Sequence, residues 1–191
     1  MERPDFVHLH LHSEYSLSDG IIRIKELVSR ASSLQYSAVG LTDLTNLFGL
    51  LEFYRSSREK GIKPIVGAEV NVIKDKDSLP APIVLLVKDR QGYINLTKIV
   101  SEAYVDGQVN GEPMVELSLL KKYSEGLIAL SGGMEGHVGQ SILAGNIPLT
   151  ESRIKFFKSI FNEDFFIEVH RLGKTNEEEY NNAAVDIATK M

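Results

Sequence analysis

Three histidines alternate with leucines near the start of the chain, in the stretch HLHLH. Side chains two positions apart on a β-strand point to the same face, so His8, His10 and His12 would share one side of such a strand. Neutral imidazole nitrogens bind borderline cations such as zinc, manganese and iron, and an H-x-H pair can reach one ion or two adjacent ones. Histidines on a solvated or hydrogen-bonded strand face give the same pattern, so both interpretations stay open.

Two carboxylates are candidates to complete a metal site. Glu69 lies in the apolar stretch GAEVNV, where a carboxylate must be paired, bound to a metal or turned toward an open mouth. Asp19 lies in Ser-Asp-Gly, which is also typical of a turn whose aspartate caps the next helix. For Asp43, in LTDLTN, the expected role is a helix N-cap, shared with Thr42 or Thr45.

The elements that must position these residues alternate between short apolar runs and helical patterns. Strands are predicted at FVHLHLH, SAVGLTD, KPIVGAEVNVI, PIVLLVK, GLIALSG and FFIEVH. Strands separated by helices indicate βα units, so we expect an α/β fold with a mainly parallel sheet, either barrel-like or doubly wound. Functional side chains in such folds gather at the carboxyl ends of strands. Those ends hold His10, His12, Asp43, Glu69, Ser131 and His170.

The glycine-rich stretch SGGMEGH (residues 131–137) follows a predicted strand and precedes a helix, a place where phosphate can bind. It lacks both the G-K-[ST] of a P-loop and the G-x-G-x-x-G fingerprint, so a turn is expected. No repeat or linker divides the chain, which favours one domain. The chain stops at ATKM inside a helical pattern, so we expect it to be cut from something longer.

Composition narrows the class of protein. The 191 residues carry 21 Lys and Arg against 26 Asp and Glu, which argues against binding nucleic acid unaided. There is no cysteine, so disulfides and thiolate metal sites are excluded. No apolar run approaches the length of a membrane span. A cytoplasmic protein without membrane contact is the expectation.

Several stretches together resemble a known family. FVHLHLHSEYSLSDG, LTDLTNLFG with LEFY, and GIKPIVGAEVNV are similar to the N-terminal PHP (polymerase and histidinol phosphatase) domain of bacterial DNA polymerase III alpha subunits. DRQGYINLTKIVSEAY, YSEGLIALSGG and FFIEVHRLG continue the likeness over nearly the whole chain. The resemblance implies a distorted (β/α) barrel. It also implies that residues 1–191 are a single PHP domain, incomplete at its C-terminal end, without the polymerase palm and fingers.

The resemblance also implies a ligand set. Active PHP domains hold two or three metal ions and hydrolyse phosphoesters. The matching metal ligands here are His10, His12, Asp19 and Glu69. Aliphatic side chains stand at three further ligand positions of the family, namely Leu44, Ile83 and Leu172. Because an aliphatic side chain has no lone pair for a cation, the site is expected to be vestigial or weak, with no catalytic residue. His170 lies two positions before Leu172 and could compensate in part.

The functional expectation follows from the family. The parent protein would be a DNA-directed DNA polymerase, a Mg²⁺-dependent nucleotidyltransferase of DNA replication, and this fragment alone would be inactive. Expected partners are the proofreading exonuclease (epsilon) subunit and, through the absent regions, DNA and the β-clamp. No cofactor is certain for the fragment, although residual zinc, manganese or magnesium is compatible with the surviving ligands. The alternatives are an active metal-dependent phosphoesterase, acting as a 3′–5′ exonuclease or pyrophosphatase, and a free-standing histidinol-phosphatase-type enzyme.

Overall fold

The computed structural model describes residues 6–17, 19–74 and 78–190. The helices are α1 (Ile24–Ser33), α2 (Leu50–Glu59), α3 (Arg90–Val105), α4 (Leu117–Lys122), α5 (His137–Leu143), α6 (Ile147–Phe161) and α7 (Glu177–Lys190). The strands are β1 (Ala38–Leu41), β2 (Lys63–Ile73), β3 (Ala81–Val87), β4 (Gln108–Val109), β5 (Glu112–Pro113), β6 (Val115–Glu116), β7 (Leu127–Leu130) and β8 (Phe165–Phe166). Short 3-10 turns lie at Glu14–Ser16 and Asn162–Asp164.

The main sheet has the strand order β1-β2-β3-β7-β8, with β6 paired to β2. The β1–β2, β2–β6 and β7–β8 pairings are parallel, whereas β3 runs antiparallel to both β2 and β7. The α/β class is as expected, but the expected alternation of strand and helix fails between β2 and β3, which follow each other without a helix in the described part of the chain and are antiparallel. Only seven positions separate Ile73 from Ala81, and a parallel crossover needs a dozen or more.

Two of the predicted strands are shorter or less regular than expected. The stretch from Phe6 to His12 runs beside β1 without forming a regular strand. Two backbone hydrogen bonds join it to β1 and to the next residue: Gly40 N–H donates to the His8 carbonyl oxygen, and Thr42 N–H donates to the Leu11 carbonyl oxygen. The N–H of Leu11 donates instead to the side-chain hydroxyl of Thr42. A ladder is interrupted where a side-chain oxygen replaces a backbone acceptor. FFIEVH is likewise a strand only over its first two residues.

The largest apolar cluster lies between one face of the sheet and the helices packed on it. Alternate residues of β2 and β3, such as Val70 and Leu85, meet residues of α3, α5, α6 and α7, among them the fully buried Tyr180. A second cluster joins α1, α2 and β1 around Phe53. Val84 and Leu86 lie on the opposite face of β3 from Leu85. That opposite face looks into the region where the candidate site lies.

Within the described residues, none of the helices combines the length and the apolar character that crossing a membrane requires.

Candidate functional site

His10 lies between two carboxylates that come from distant parts of the chain. Its Nε2 atom is 2.6 Å from Oε2 of Glu69 in β2, and its Nδ1 atom is 2.8 Å from Oε1 of Glu168 just after β8. The side chains of all three residues are less than a fifth exposed. His10 therefore connects the N-terminal segment both to β2 and to the segment that follows the edge strand β8.

His12 and Asp19 form the outer part of the same centre. The Nδ1 atom of His12 is 2.6 Å from Oδ2 of Asp19, and its Nε2 atom is 3.7 Å from Oε2 of Glu69. The rings of His10 and His12 are 5.2 Å apart. Asp19 does not cap the next helix, since α1 begins after Arg23. The structure thus brings together the four residues that the sequence singled out as metal ligands.

His170 joins the centre through Glu168, which sequence reasoning missed. Its Nε2 atom is 2.9 Å from Oε1 of Glu168, and its ring lies 5.5 Å from the ring of His10. The signal for Glu168 was present in FFIEVH, where a carboxylate again stands among apolar residues, as Glu69 does. His8 is not part of the centre, because its ring packs against Phe6 and Tyr36.

The charges in this centre reinforce one another. Burial lowers the pKa of His10, but hydrogen bonds and charges of Glu168 and Glu69 outweigh that effect and raise the pKa to about 9. Burial raises the pKa of Glu168, and the opposing contacts with His10 and His170 bring it down to about 2. Without a bound cation, the His10–Glu168 contact is therefore an ion pair at neutral pH.

Asp43 has a different role from the N-cap that the sequence suggested. Helix α2 begins after Gly49, without a side-chain cap. The buried Asp43 carboxylate instead accepts hydrogen bonds from the backbone N–H and hydroxyl of Ser13 and from the hydroxyl of Ser16. These bonds fix the turn between His12 and Asp19. The sequence suggested an N-cap because Asp43 and its hydrogen-bond donor Ser13 are 30 positions apart, and a contact over that distance leaves no local sequence pattern.

Two glycines make room for ligand-bearing segments. A Cβ atom on Gly20 would stand 1.8 Å from the carbonyl oxygen of Ser13, so the residue after Asp19 must be glycine for the loop to close. A Cβ atom on Gly133 would overlap the ring of His170, and the φ of Gly133 is +58°. The stretch SGGMEGH is a turn, as expected, and one of its glycines gives space to an imidazole.

The three aliphatic residues at family ligand positions, Leu44, Ile83 and Leu172, differ in whether their side chains lie near the centre. Leu44 pairs with Glu69 in an isolated parallel bridge, which places it beside the centre. Leu172 lines the same cleft as His10 and His170 and is two-thirds exposed. Ile83 is buried in the core with Val70 on the face opposite Glu69, whereas Val84 pairs with Glu69. The placement of a lost ligand at Ile83 is therefore wrong, since a side chain there points away from the site.

The donor set fits a divalent cation. Two groups of three donors share His10, one with His12 and Glu69 and the other with Glu168 and His170, and in each group the ligand atoms lie within 4.8 Å of one another. Nε2 of His12 and Oε2 of Glu168 are buried without a hydrogen-bond partner among the described residues. Mixed imidazole and carboxylate donors suit zinc or manganese.

The centre opens into a cleft of about 800 Å³. Its walls are the N-terminal segment from Phe6 to His10 and the segment from Phe166 to Leu172, and its floor is the Val84 face of the sheet, including Leu86. The floor is apolar, and the His10–Glu168 contact stands in its wall. A polar centre beside an apolar cleft is the usual form of a small-molecule or catalytic site.

Comparisons with known proteins agree with this architecture. The family model for the PHP domain matches residues 8–172. The chain is 42% identical over 190 residues to DNA polymerase III subunit alpha of Escherichia coli K12 and 39% identical over 190 residues to that of Vibrio cholerae. Each alignment covers 98% of this chain, which spans 16% of the length of those relatives. The resemblance inferred from the sequence is confirmed.

A solved structure is similar in fold. A crystal structure from Bifidobacterium adolescentis, described as a metal-dependent phosphoesterase, superimposes with a TM-score of 0.56 at 14% identity. The match covers 97% of this chain and 85% of the other. At this identity the likeness bears on the fold alone, and it confirms the expected α/β class.

Proposed function

The chain belongs to the PHP domain family, and from that membership we propose that it is the PHP module of a replicative DNA polymerase alpha subunit. In this proposal, residues 1–191 form one domain whose polar centre stabilises the fold and does not hydrolyse phosphoesters. The identity to alpha subunits over 98% of the chain supports the assignment. The polymerase chemistry, with its Mg²⁺ and nucleotides, would then belong to regions outside these residues.

The observation that carries the structural role is the double contact of His10. Both ring nitrogens face carboxylate oxygens, at 2.6 Å from Glu69 and 2.8 Å from Glu168. Both contacts are hydrogen bonds only when both nitrogens carry protons, and an imidazolium has no lone pair for a cation. In this state His10 is a clamp between two carboxylates and not a ligand. Leu44, beside Glu69, adds no donor.

A divalent cation would compete with the proton on His10. His12, Asp19 and Glu69 offer donors for an ion on one side of His10, and Glu168 and His170 offer donors on the other side. A bound ion would supply Lewis acidity and an activated water to a phosphoester. The residues of this chain would hold that ion beside the apolar cleft.

The proposal is tested by metal analysis of the purified chain combined with a 3′ exonuclease assay on single-stranded DNA, with Mn²⁺, Zn²⁺ or Mg²⁺ added. We expect fewer than two ions per chain and no cleavage above that of a His12→Ala variant. A chain that carries two or more tightly bound ions and cleaves DNA, with cleavage lost in His12→Ala, would refute the structural role. His8→Ala is the matched control, since His8 lies outside the centre.

The second candidate is an active metal-dependent phosphoesterase, as a 3′–5′ exonuclease or a pyrophosphatase. The observation that favours it is the pair of three-donor groups that share His10, because two-metal hydrolysis needs two neighbouring ions. Pyrophosphate hydrolysis in the same metal series distinguishes the two enzymatic forms.

The partner assignment rests on the alpha-subunit identity. We propose that this domain docks the proofreading exonuclease (epsilon) subunit in the cytoplasm, within a polymerase III holoenzyme that also contains the β-clamp and binds DNA. Titration of the chain with purified exonuclease subunit, followed by sedimentation, should give a 1:1 complex. Independent sedimentation of the two proteins at micromolar concentration would count against docking through this domain.

A further inference from the structure

The segment that carries Glu168 and His170 is held by side chains and not by the sheet. Strand β8 ends at Phe166, and residues 167–171 have no regular secondary structure. A segment outside the ladder must satisfy its backbone groups in another way if it is to hold two side chains in place. The polar groups that do so come from the end of β7 and from helix α7.

The hydrogen bonds reach the backbone of Glu168 from both sides. Its N–H donates to Oγ of Ser131 at 3.0 Å, and its carbonyl oxygen accepts from the hydroxyl of Tyr180 at 2.6 Å. Tyr180 and Ser131 are buried. Because both backbone groups of Glu168 are held, the position of its Cα atom is fixed, and its side chain extends from there to His10.

Helix α7 holds the next residues in the same way. The side-chain amide of Asn181 donates to the carbonyl oxygen of His170, and the carboxylate of Glu177 accepts from the N–H groups of Leu172 and Gly173 at 2.7 and 2.8 Å. Three side chains in the first two turns of α7 thus form hydrogen bonds to the backbone of residues 168–173, namely Glu177, Tyr180 and Asn181. The helix contributes no donor to the centre itself.

We propose that the Tyr180 hydroxyl, together with Ser131, is the positioning element of the polar centre. It holds the Glu168 backbone so that the carboxylate meets Nδ1 of His10. This inference rests on the proposed clamp of His10 between Glu69 and Glu168, whose contacts measure 2.6 and 2.8 Å. It goes further by assigning the alignment of that centre to a buried tyrosine of α7 that touches neither His10 nor a ligand atom.

The test compares Tyr180→Phe with wild type in the 191-residue chain, kept free of metal with chelator. The readout is the His10 Nδ1 proton in imidazole ¹⁵N–¹H NMR spectra, which reports the bond to Glu168 directly. We expect a slowly exchanging proton in wild type and at least tenfold faster exchange, or loss of the signal, in Tyr180→Phe. Tyr123→Phe is the matched control, because it removes a hydroxyl that donates to Glu102 outside the centre.

Three results decide between the alternatives. Exchange in Tyr180→Phe within twofold of wild type, with only a loss of melting temperature like that of Tyr123→Phe, would overturn the inference. If Tyr180→Phe does not fold, the Ser131→Ala variant provides the test. It removes the acceptor of the Glu168 N–H and should also speed exchange of the His10 Nδ1 proton, and exchange within twofold of wild type would overturn the inference. Absence of a protected proton in wild type would overturn the ion-paired centre itself, and this inference with it.

Discussion

Nδ1 of His10 lies 2.8 Å from Oε1 of Glu168, although 158 positions separate the two residues in the chain. The N-terminal segment runs beside β1, at one edge of the sheet, and Glu168 follows β8, at the other edge. The contact therefore links the two edges of the sheet. A pair so distant in sequence forms only in the folded chain, so its free energy contributes to the stability of the whole fold.

The first prediction concerns pH in metal-free protein. The folded pKa of His10, about 9, lies above its ordinary 6.5, so its stabilisation is complete below pH 6.5 and is lost as pH rises through 9. The folded pKa of Glu168, about 2, lies below its ordinary 4.5, so its stabilisation is complete above pH 4.5 and is lost as pH falls toward 2. The joint contribution should be greatest between pH 4.5 and 6.5.

Urea unfolding at pH 5.5, 7.5 and 9.5 measures this dependence. The difference in unfolding free energy between wild type and His10→Ala should shrink steadily across the series. A difference that stays constant from pH 5.5 to 9.5 would contradict the assignment of a charged His10.

The second prediction concerns Asp43. Replacing it with alanine leaves the Ser13 N–H and the Ser13 and Ser16 hydroxyls without their buried acceptor, which should cost about 3 kcal/mol of unfolding free energy. The control is Asp164→Ala, since Asp164 pairs with the half-exposed Lys88 and should cost less than about 1 kcal/mol. Equal losses in the two variants, measured by urea unfolding, would argue against Asp43 as the hub of the turn.

The third prediction tests the two aliphatic positions on opposite sides of the sheet. Leu44→His adds an imidazole beside Glu69 and should strengthen Zn²⁺ binding about tenfold, or about 1.4 kcal/mol. Ile83→His places the imidazole in the core, so it should leave Zn²⁺ affinity unchanged and cost about 2 kcal/mol of stability. Calorimetric titration with Zn²⁺ and urea unfolding distinguish the two, and stronger binding in Ile83→His would restore that position as a ligand site.

The candidate site could be predicted from sequence where its residues obey local rules. The H-x-H alternation and the isolated carboxylate Glu69 identified most of the centre, and the end of the FFIEVH stretch included His170. Glu168 was missed although it satisfies the same rule as Glu69, since both are carboxylates among apolar residues. Asp43 could not be assigned, because its partners at Ser13 and Ser16 are brought to it only by the tertiary fold.

The fold shows the same division between local and tertiary information. Apolar runs located β1, β2, β3 and β7, whereas the direction of β3 depended on a connection too short for a helix. The stretch from Phe6 to His12 has the alternation of a strand, yet the Thr42 side chain takes a bond that a ladder would need. Ile83 was assigned from the resemblance to the family, and a likeness in sequence does not show which face of the sheet a residue occupies.

The clamp formed by His10 is the central claim, and its free energy is the most direct test. Urea unfolding in chelator at pH 6 should show that His10→Ala loses about 2 kcal/mol relative to wild type, since Glu69 and Glu168 are largely buried and each carboxylate loses its contact with His10. His8→Ala, which removes an exposed imidazole outside the centre, should lose less than about 1 kcal/mol. If His10→Ala is as stable as His8→Ala under these conditions, the polar centre does not hold the fold together.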